Sequence, residues 1–261
     1  MASANNPPKV SVTVVKNRNL PKTSVRWNED QLPIDILLLT VKDCEFLSCL
    51  SFLNGQDFIK SHHPDLGYVY FGSIGETTKL RIAVVKCSQG STVPGGSVIV
   101  VKNAAEVLRP KAVFNVGFCG CLNERKAKLG DVVVSARLLT YASAEVTASG
   151  IKECGIRVPL ERHLANLVKN CHEGWEPPLE DQEALEVEVH RDGVLLSGPE
   201  EVEKKERRDE LTARFPEAIA IEMEGEGENQ LSFTVKVVQN SFQCFLKESV
   251  IISSIITTTL Y

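Results

Sequence analysis

"AVFNVGFCGCL" (residues 112–122) sets a short, largely apolar run against a Gly-x-x-Gly step. The run Ala112–Val116 has the length and composition of a strand buried on both faces. Gly117 and Gly120 follow it, flanking Phe118 and Cys119. Glycine lets a backbone turn sharply or approach a neighbour where a Cβ would intrude. The spacing predicts a strand that stops at Val116, a tight Gly-Phe-Cys-Gly turn, and a longer strand in DVVVSARLLTY (131–141). By itself Gly-x-x-Gly names no ligand, and the G-x-G-x-x-G with following helix of a dinucleotide fold is missing.

The same pattern repeats outward. IDILLLT (34–40) is a continuous apolar run, followed by a helix predicted from Asp43 to Gly55 with Phe46, Leu50 and Leu53 on one face. YVYFG (68–72) and KLRIAVVKC (79–87) read as two strands joined near Gly72–Gly75. GGSVIVVKNAAEVLRP (95–110) places Val98, Val101, Ala105 and Leu108 at helical spacing and closes on Pro110. Leu160, Leu164, Leu167 and Val168 mark another helix, and EGWEPPLEDQE (173–183) is an acidic loop. LEVEVH (185–190) and GVLLS (193–197) are strand candidates; the charged helix 199–215 leads to a last short strand at 218–222. Strands alternating with helices predict an α/β three-layer sandwich, a central mixed sheet flanked by helices. The expected division is a flexible leader (1–30), one domain (31–227) and a divergent tail (228–261).

The net charge of -5 argues against a nucleic-acid partner met through a basic surface. Eight cysteines sit mostly within apolar segments, as reduced core thiols do in a cytoplasmic protein. Cys119 and Cys121 lack a second Cys/His pair at zinc spacing, so no metal is expected. The N-terminal segment has no signal-peptide apolar core, and VIISSIITTTLY (250–261) is too short and hydroxyl-rich to span a bilayer.

IAIEMEGEGENQ (219–230) alternates Glu222, Glu224, Glu226 and Glu228 with Met and Gly directly after an apolar strand. Read alone, such glutamates belong on a solvated strand end. In α/β sheets, however, ligands sit where strands end in irregular backbone. Three segments then stand out: Thr40–Glu45, Asn115–Gly120 and Ile221–Gly225.

Taken together, AVFNVGFCGCL, LGDVVVSARLLTY (129–141), LLSGPEEV (195–202) and AIAIEMEGEG (218–227) closely resemble the nucleoside phosphorylase/nucleosidase superfamily. That superfamily includes purine nucleoside phosphorylases, methylthioadenosine/S-adenosylhomocysteine nucleosidases and ATP-cleaving nucleosidases. The resemblance implies cleavage of a purine N-glycosidic bond in a nucleoside or nucleotide, without a cofactor, often in a homo-oligomer. By the same resemblance Glu224 grips the ribose hydroxyls, Met223 packs on the sugar, Glu222 belongs to the pocket wall, and Glu45 polarises the attacking water. Gly117, Phe118, Cys119 and Gly120 would then line the base pocket, with Asp131 capping a turn. The phosphorylases bind phosphate through a Gly-Asp-Pro-x-Arg turn and an Arg and Ser near the glycine step. This chain has TVKDCE (40–45) and NVGFCG (115–120) there, so hydrolysis is preferred over phosphorolysis.

The resemblance breaks after Gly227. The family's general acid, an aspartate in a Ser-Asp pair past a further strand, has no counterpart; the chain holds no aspartate after Asp209. FTVKVVQN (233–240) mimics the strand but ends in Gln-Asn, which cannot act as a general acid. The C-terminal strand and helix are therefore expected to be incomplete, as a retained intron would leave them. A weakened nucleosidase, a non-catalytic nucleoside-binding module and a truncated isoform all follow from that break.

Overall fold

The computed structural model describes residues 8–75, 79–141, 144–148, 150–153, 157–159, 165, 169, 173–225 and 232–239. β1 (Ile36–Thr40) is buried throughout, as its unbroken apolar run demands. Ile36 and Leu38 pack with Phe46, Leu47 and Leu50 of helix α1 (Asp43–Ser51). Leu37 and Leu39 pack instead with Val100, Val101 and Ala104 of α2 (Ser97–Val107). Side chains alternate across a strand, so one continuous run serves helices on both faces. That arrangement is the expected three-layer sandwich.

The remaining strands are β2 (Ile59–His63), β3 (Gly67–Ile74), β4 (Leu80–Lys86), β5 (Ala112–Cys121), β6 (Val132–Thr140), β7 (Ala144–Thr147), β8 (Gly150–Glu153), β9 (Arg157–Pro159), β10 (Val189–Ser197), β11 (Ala218–Glu222) and β12 (Ser232–Gln239). β10 merges the two strand candidates in 185–197, with its register shifting around His190–Val194. A third helix, α3 (Lys205–Arg214), buries Leu211 against Val194, Leu196, Ala218 and Ile221. The mixed sheet runs β11-β10-β6-β12-β5-β1-β4-β3-β2, with β9 on β6 and β7-β8 as a separate pair. β11 also pairs antiparallel with β5, so β5, β12, β6, β10 and β11 close into a ring.

Several expectations need correction. β5 does not stop at Val116; it runs through the glycine step to Cys121, because residues 113–120 pair with β12 and Gly120–Cys121 with β11. The N-cap of α1 is Lys42, with Asp43 the first helical residue, and α1 ends at Ser51. In α2 the buried residues are Ser97, Val100, Val101 and Ala104, whereas Val98 and Ala105 are exposed. The C-terminal strand is complete: all eight residues of β12 pair with β5, in the middle of the sheet. Leu160, Leu164, Leu167 and Val168, which mark the expected helix, and the tail beyond Gln239 lie outside the described residues. Within the segment read as a leader, Val10 bridges to Leu179, Val25 bridges to Ser61, and the buried Val15 donates its N–H to Ser51 Oγ. Cys49, Cys87, Cys119 and Cys121 are free thiols, whereas Cys44 is disulfide-bonded.

Candidate functional site

Past Thr40 the chain turns through Val41 and Lys42 into α1, and the first helical amides have no intrahelical acceptor. Glu45 answers this locally. Its Oε2 accepts the N–H groups of Val41 (2.8 Å) and Lys42 (2.7 Å). Its Oε1 accepts the Phe118 N–H of β5 at 3.2 Å, tying the β1–α1 turn to the glycine step. Burial pushes the Glu45 carboxyl above its ordinary value, opposed by Lys236 and by the two turn amides. A carboxylate held this way sits nearer the range of a working general base.

At the end of β11 the motif Glu-Met-Glu-Gly forms a turn that Glu222 organises. Glu222 Oε2 accepts the Glu224 N–H at 2.9 Å, and Oε1 accepts the Gly225 N–H at 2.9 Å. A Cβ at position 225 would lie 2.6 Å from Glu222 Oε1 and 2.6 Å from Leu138 Cδ1, so the carboxylate and the leucine together leave room only for glycine. Glu224 is thereby carried back alongside β5. Its carbonyl accepts the Ser97 hydroxyl of α2, and its Oε1 lies 3.5 Å from the Gly90 N–H.

Lys236 of β12 reaches into the same space and is only 1% exposed. Its Nζ stands 3.1 Å from Asn115 Oδ1, 3.4 Å from Glu224 Oε2 and 3.5 Å from Glu222 Oε2. Gly117 makes the meeting possible, since a Cβ there would lie 2.7 Å from Glu45 Oε1 and 3.1 Å from Lys236 Nζ. Three buried glutamates thus surround one lysine, and full ionisation would leave negative charge in excess. Burial also drives the Glu222 carboxyl up, against the pull of Lys236. An excess of negative charge in a dry site favours a cationic, oxocarbenium-like sugar over its neutral ground state.

The structure therefore gathers Glu45, Gly117, the Phe118 amide, Glu222 and Glu224 into one cluster. Met223 lies at its rim, where Gln89 Nε2 approaches its sulfur at 3.8 Å and Gln89 Oε1 accepts Lys42 Nζ at 2.8 Å. The Phe118 ring is partly buried against the cluster that includes Phe46. Cys119 points elsewhere, into a cluster with Val133, Leu195 and Ala220, and burial raises its thiol beyond reactivity. Gly120 leaves room for Ile221, whose Cγ2 would lie 3.2 Å from a Cβ there. Sequence reasoning missed Lys236 altogether and gave Asn115 and Ser97 no role. One signal for Lys236 was available: a lone cation amid the β-branched run of FTVKVV.

Asp131 has the expected turn-capping role, its Oδ2 accepting the Lys128 N–H at 2.8 Å. It is also one of a metal-type group with Glu188 and His190. The imidazole directs Nε2 at Asp131 (3.0 Å) and Nδ1 at Glu188 (3.8 Å), so it bridges the two acids.

The architecture has counterparts among known proteins. The family model described as the phosphorylase superfamily matches residues 53–238, a span that includes β12 and Lys236. A death domain-containing ATP nucleosidase of Amphimedon queenslandica is 29% identical over 213 residues, covering 74% of this chain and 39% of that protein. A 5'-methylthioadenosine/S-adenosylhomocysteine nucleosidase of Staphylococcus epidermidis is 30% identical over 135 residues, covering 51% of this chain and 54% of the relative. The chain thus spans about half or less of the length of these two relatives. Among solved structures, the Neisseria meningitidis methylthioadenosine/S-adenosylhomocysteine nucleosidase with methylthio-immucillin-A superimposes with TM-score 0.69, at 19% identity, over 87% of this chain and 98% of that one. The Helicobacter pylori futalosine hydrolase gives TM-score 0.66 at 19% identity, over 88% and 99%. At that identity the likeness concerns the fold, and the family rests on the sequence match across most of the chain: this protein belongs to the phosphorylase superfamily.

Proposed function

We propose that the chain hydrolyses the N-glycosidic bond of a purine nucleoside or nucleotide. The observation that carries this reading is the buried cluster of Glu45, Glu224 and Lys236 around Gly117. Glu224 is the carboxylate for the ribose hydroxyls, Glu45 the base for a water, and Phe118 the wall for the purine. Gly117 and Glu222 shape that space, and Met223 covers its rim. Hydrolysis is favoured over phosphorolysis by a local argument. An anion needs free amides or cations; the Val41, Lys42 and Phe118 amides are already occupied by the Glu45 carboxylate, and the Lys236 ammonium is already paired with Glu222 and Glu224. The relatives' names, an ATP nucleosidase and a methylthioadenosine/S-adenosylhomocysteine nucleosidase, support a purine substrate and differ in the 5′ group.

Chromatographic measurement of adenine release from adenosine, methylthioadenosine and ATP, with and without phosphate, tests the reading. The expected result is phosphate-independent release that Glu224→Ala lowers by ~10²-fold or more, the scale set by losing one transition-state contact. Release that requires phosphate would establish the phosphorylase alternative, and equal release by Glu224→Ala would sink the site assignment.

One observation favours a second reading. β12 ends at Gln239 and is followed by Asn240, and neither amide can protonate the leaving purine as the family's aspartate does. General-acid help contributes typically ~10²–10⁴-fold. A slow enzyme, or a module that binds without turnover, is the consequence; calorimetric binding of adenosine without adenine release would decide for the module. We further propose a homo-oligomer, supported by exposed Val93, Val98 and Ile99 at the start of α2. A mass measurement in solution equal to one chain would exclude it. A cytoplasmic location is supported by the free thiols of Cys49, Cys87, Cys119 and Cys121, with the disulfide at Cys44 standing against it. Among the described residues no helix is long and apolar enough to cross a membrane.

A further inference from the structure

We infer that Glu222 is a positioning residue, which acts on the reaction through Glu224 and Lys236 and does not touch the substrate. The inference rests on the reading of Glu224 given above. The Glu222 side chain has no exposed surface. Both oxygens are engaged by the backbone of the turn they precede: Oε2 by the N–H groups of Glu224 (2.9 Å) and Gly225 (3.0 Å), Oε1 by that of Gly225 (2.9 Å). The Glu222 carbonyl is held as well, accepting the Gly198 N–H at 3.2 Å beyond the end of β10. Residue 222 is therefore fixed to the sheet by its backbone, and its carboxylate in turn fixes residues 224 and 225.

Two consequences follow for the neighbours. The Glu224 backbone is clamped from both sides, its N–H by Glu222 and its carbonyl by the Ser97 hydroxyl. The direction of its carboxylate is thus decided before any ligand arrives, which is what preorganisation requires. Lys236 is held between Glu222 (3.5 Å) and Glu224 (3.4 Å), so removing the Glu222 charge lets its ammonium drift toward Glu224. A closer Lys236–Glu224 pair would compete with ribose hydroxyls for the same oxygen. The glycine at 225 serves the same arrangement, since the Glu222 carboxylate and Leu138 together fill the volume a Cβ would take.

The test is a double-mutant cycle with Glu222→Gln and Glu224→Gln, read by adenine release and by adenosine binding. Glutamine keeps the size but presents an NH₂ to at least one of the amide donors. We expect Glu222→Gln to lower kcat 10-fold or more with a folded, cooperative melt, and to shift the acid limb of the pH–rate profile. In the Glu224→Gln background the same change should have almost no further effect on rate or binding. Effects that multiply would show an independent role and overturn the inference, as would a lowered Tm with unchanged kcat and pH profile. Glu222→Asp, which keeps the charge but shortens its reach, should recover part of the loss. If the wild-type chain neither releases adenine nor binds adenosine, the functional reading fails and this inference with it. Binding without release leaves the cycle readable through affinity alone.

Discussion

At the residue scale the central fact is a lysine among three glutamates. Burying a cation is tolerable only when opposite charges and hydrogen bonds replace its water. Lys236 has Asn115, Glu222 and Glu224 for that purpose. Its charge also pulls down the Glu45 carboxyl that burial pushes up. Lys236→Met should therefore raise the Glu45 pKa further and move the acid limb of the pH–rate profile to higher pH. The sign follows from the base role, since Glu45 works ionised and loses a stabilising cation. Lys236→Arg keeps the charge and should leave the limb near its wild-type position. A limb that does not move in Lys236→Met would separate Glu45 from the titration. Breaking a buried pair by removing one partner costs about 3–5 kcal/mol, so melts must accompany the kinetics. Gly117→Ala makes a complementary case. The added methyl meets Glu45 Oε1 and Lys236 Nζ, not the backbone, and Gly117 has no left-handed φ to lose. The expected outcome is a folded protein with adenine release lowered at least 10-fold; activity retained within 2-fold would show that the two groups can move aside without loss.

At the element scale the decisive unit is β12. It lies between β5 and β6, parallel to one and antiparallel to the other, with Val235 paired to Val116 and to Val134. A proline at 235 cannot donate to either neighbour and belongs on an edge, not in the middle of a sheet. Val235→Pro should destabilise by ~3 kcal/mol or more, or prevent recovery of soluble protein, whereas Lys236→Arg on the same strand should be recovered folded; equal melting of Val235→Pro and wild type would contradict the placement of β12. The strand also marks where the sequence could and could not be read. IDILLLT was legible because burial on both faces leaves an unbroken apolar run. Glu45, Glu222 and Glu224 entered as candidates only through the family resemblance that the motifs carry. β12 was read only as a mimic of the family's strand because FTVKVVQN ends in Gln-Asn, and the use of its lysine shows only beside glutamates distant in sequence. The extension of β5 through Gly117–Gly120 was hidden for the same reason. Glycines signal a turn when neighbours are unknown, yet here they admit Glu45, Lys236 and Ile221 to the backbone. Non-local pairings of this kind leave no local pattern.

At the scale of the whole molecule, charge pairs away from the cluster tune stability with pH, and the pair at the starts of β6 and β10 is the clearest. His190 Nε2 lies 3.0 Å from Asp131 Oδ2, and Asp131 is 1% exposed. The hydrogen bond to Asp131 raises the His190 pKa above its ordinary value despite burial, and Glu188 and Asp192 act in the same direction. Burial pushes the Asp131 carboxyl up, but His190 and the Lys128 and Glu188 amides outweigh it and hold it low. A raised histidine pKa contributes stability fully below the unfolded value near ~6.5, and that contribution is lost as pH rises through the folded value. A lowered carboxylate pKa contributes above the unfolded value near ~3.9 and is lost on acidification. The two windows overlap between about pH 4 and about pH 6.5. Urea unfolding of wild type and His190→Gln across pH 4.5 to 8.5 should show the largest difference in that window. The gap should narrow steadily above it as the imidazole loses its proton. A difference independent of pH would mean that His190 contributes by packing alone, and a gap that widens toward pH 8.5 would reverse the assigned direction of its shift.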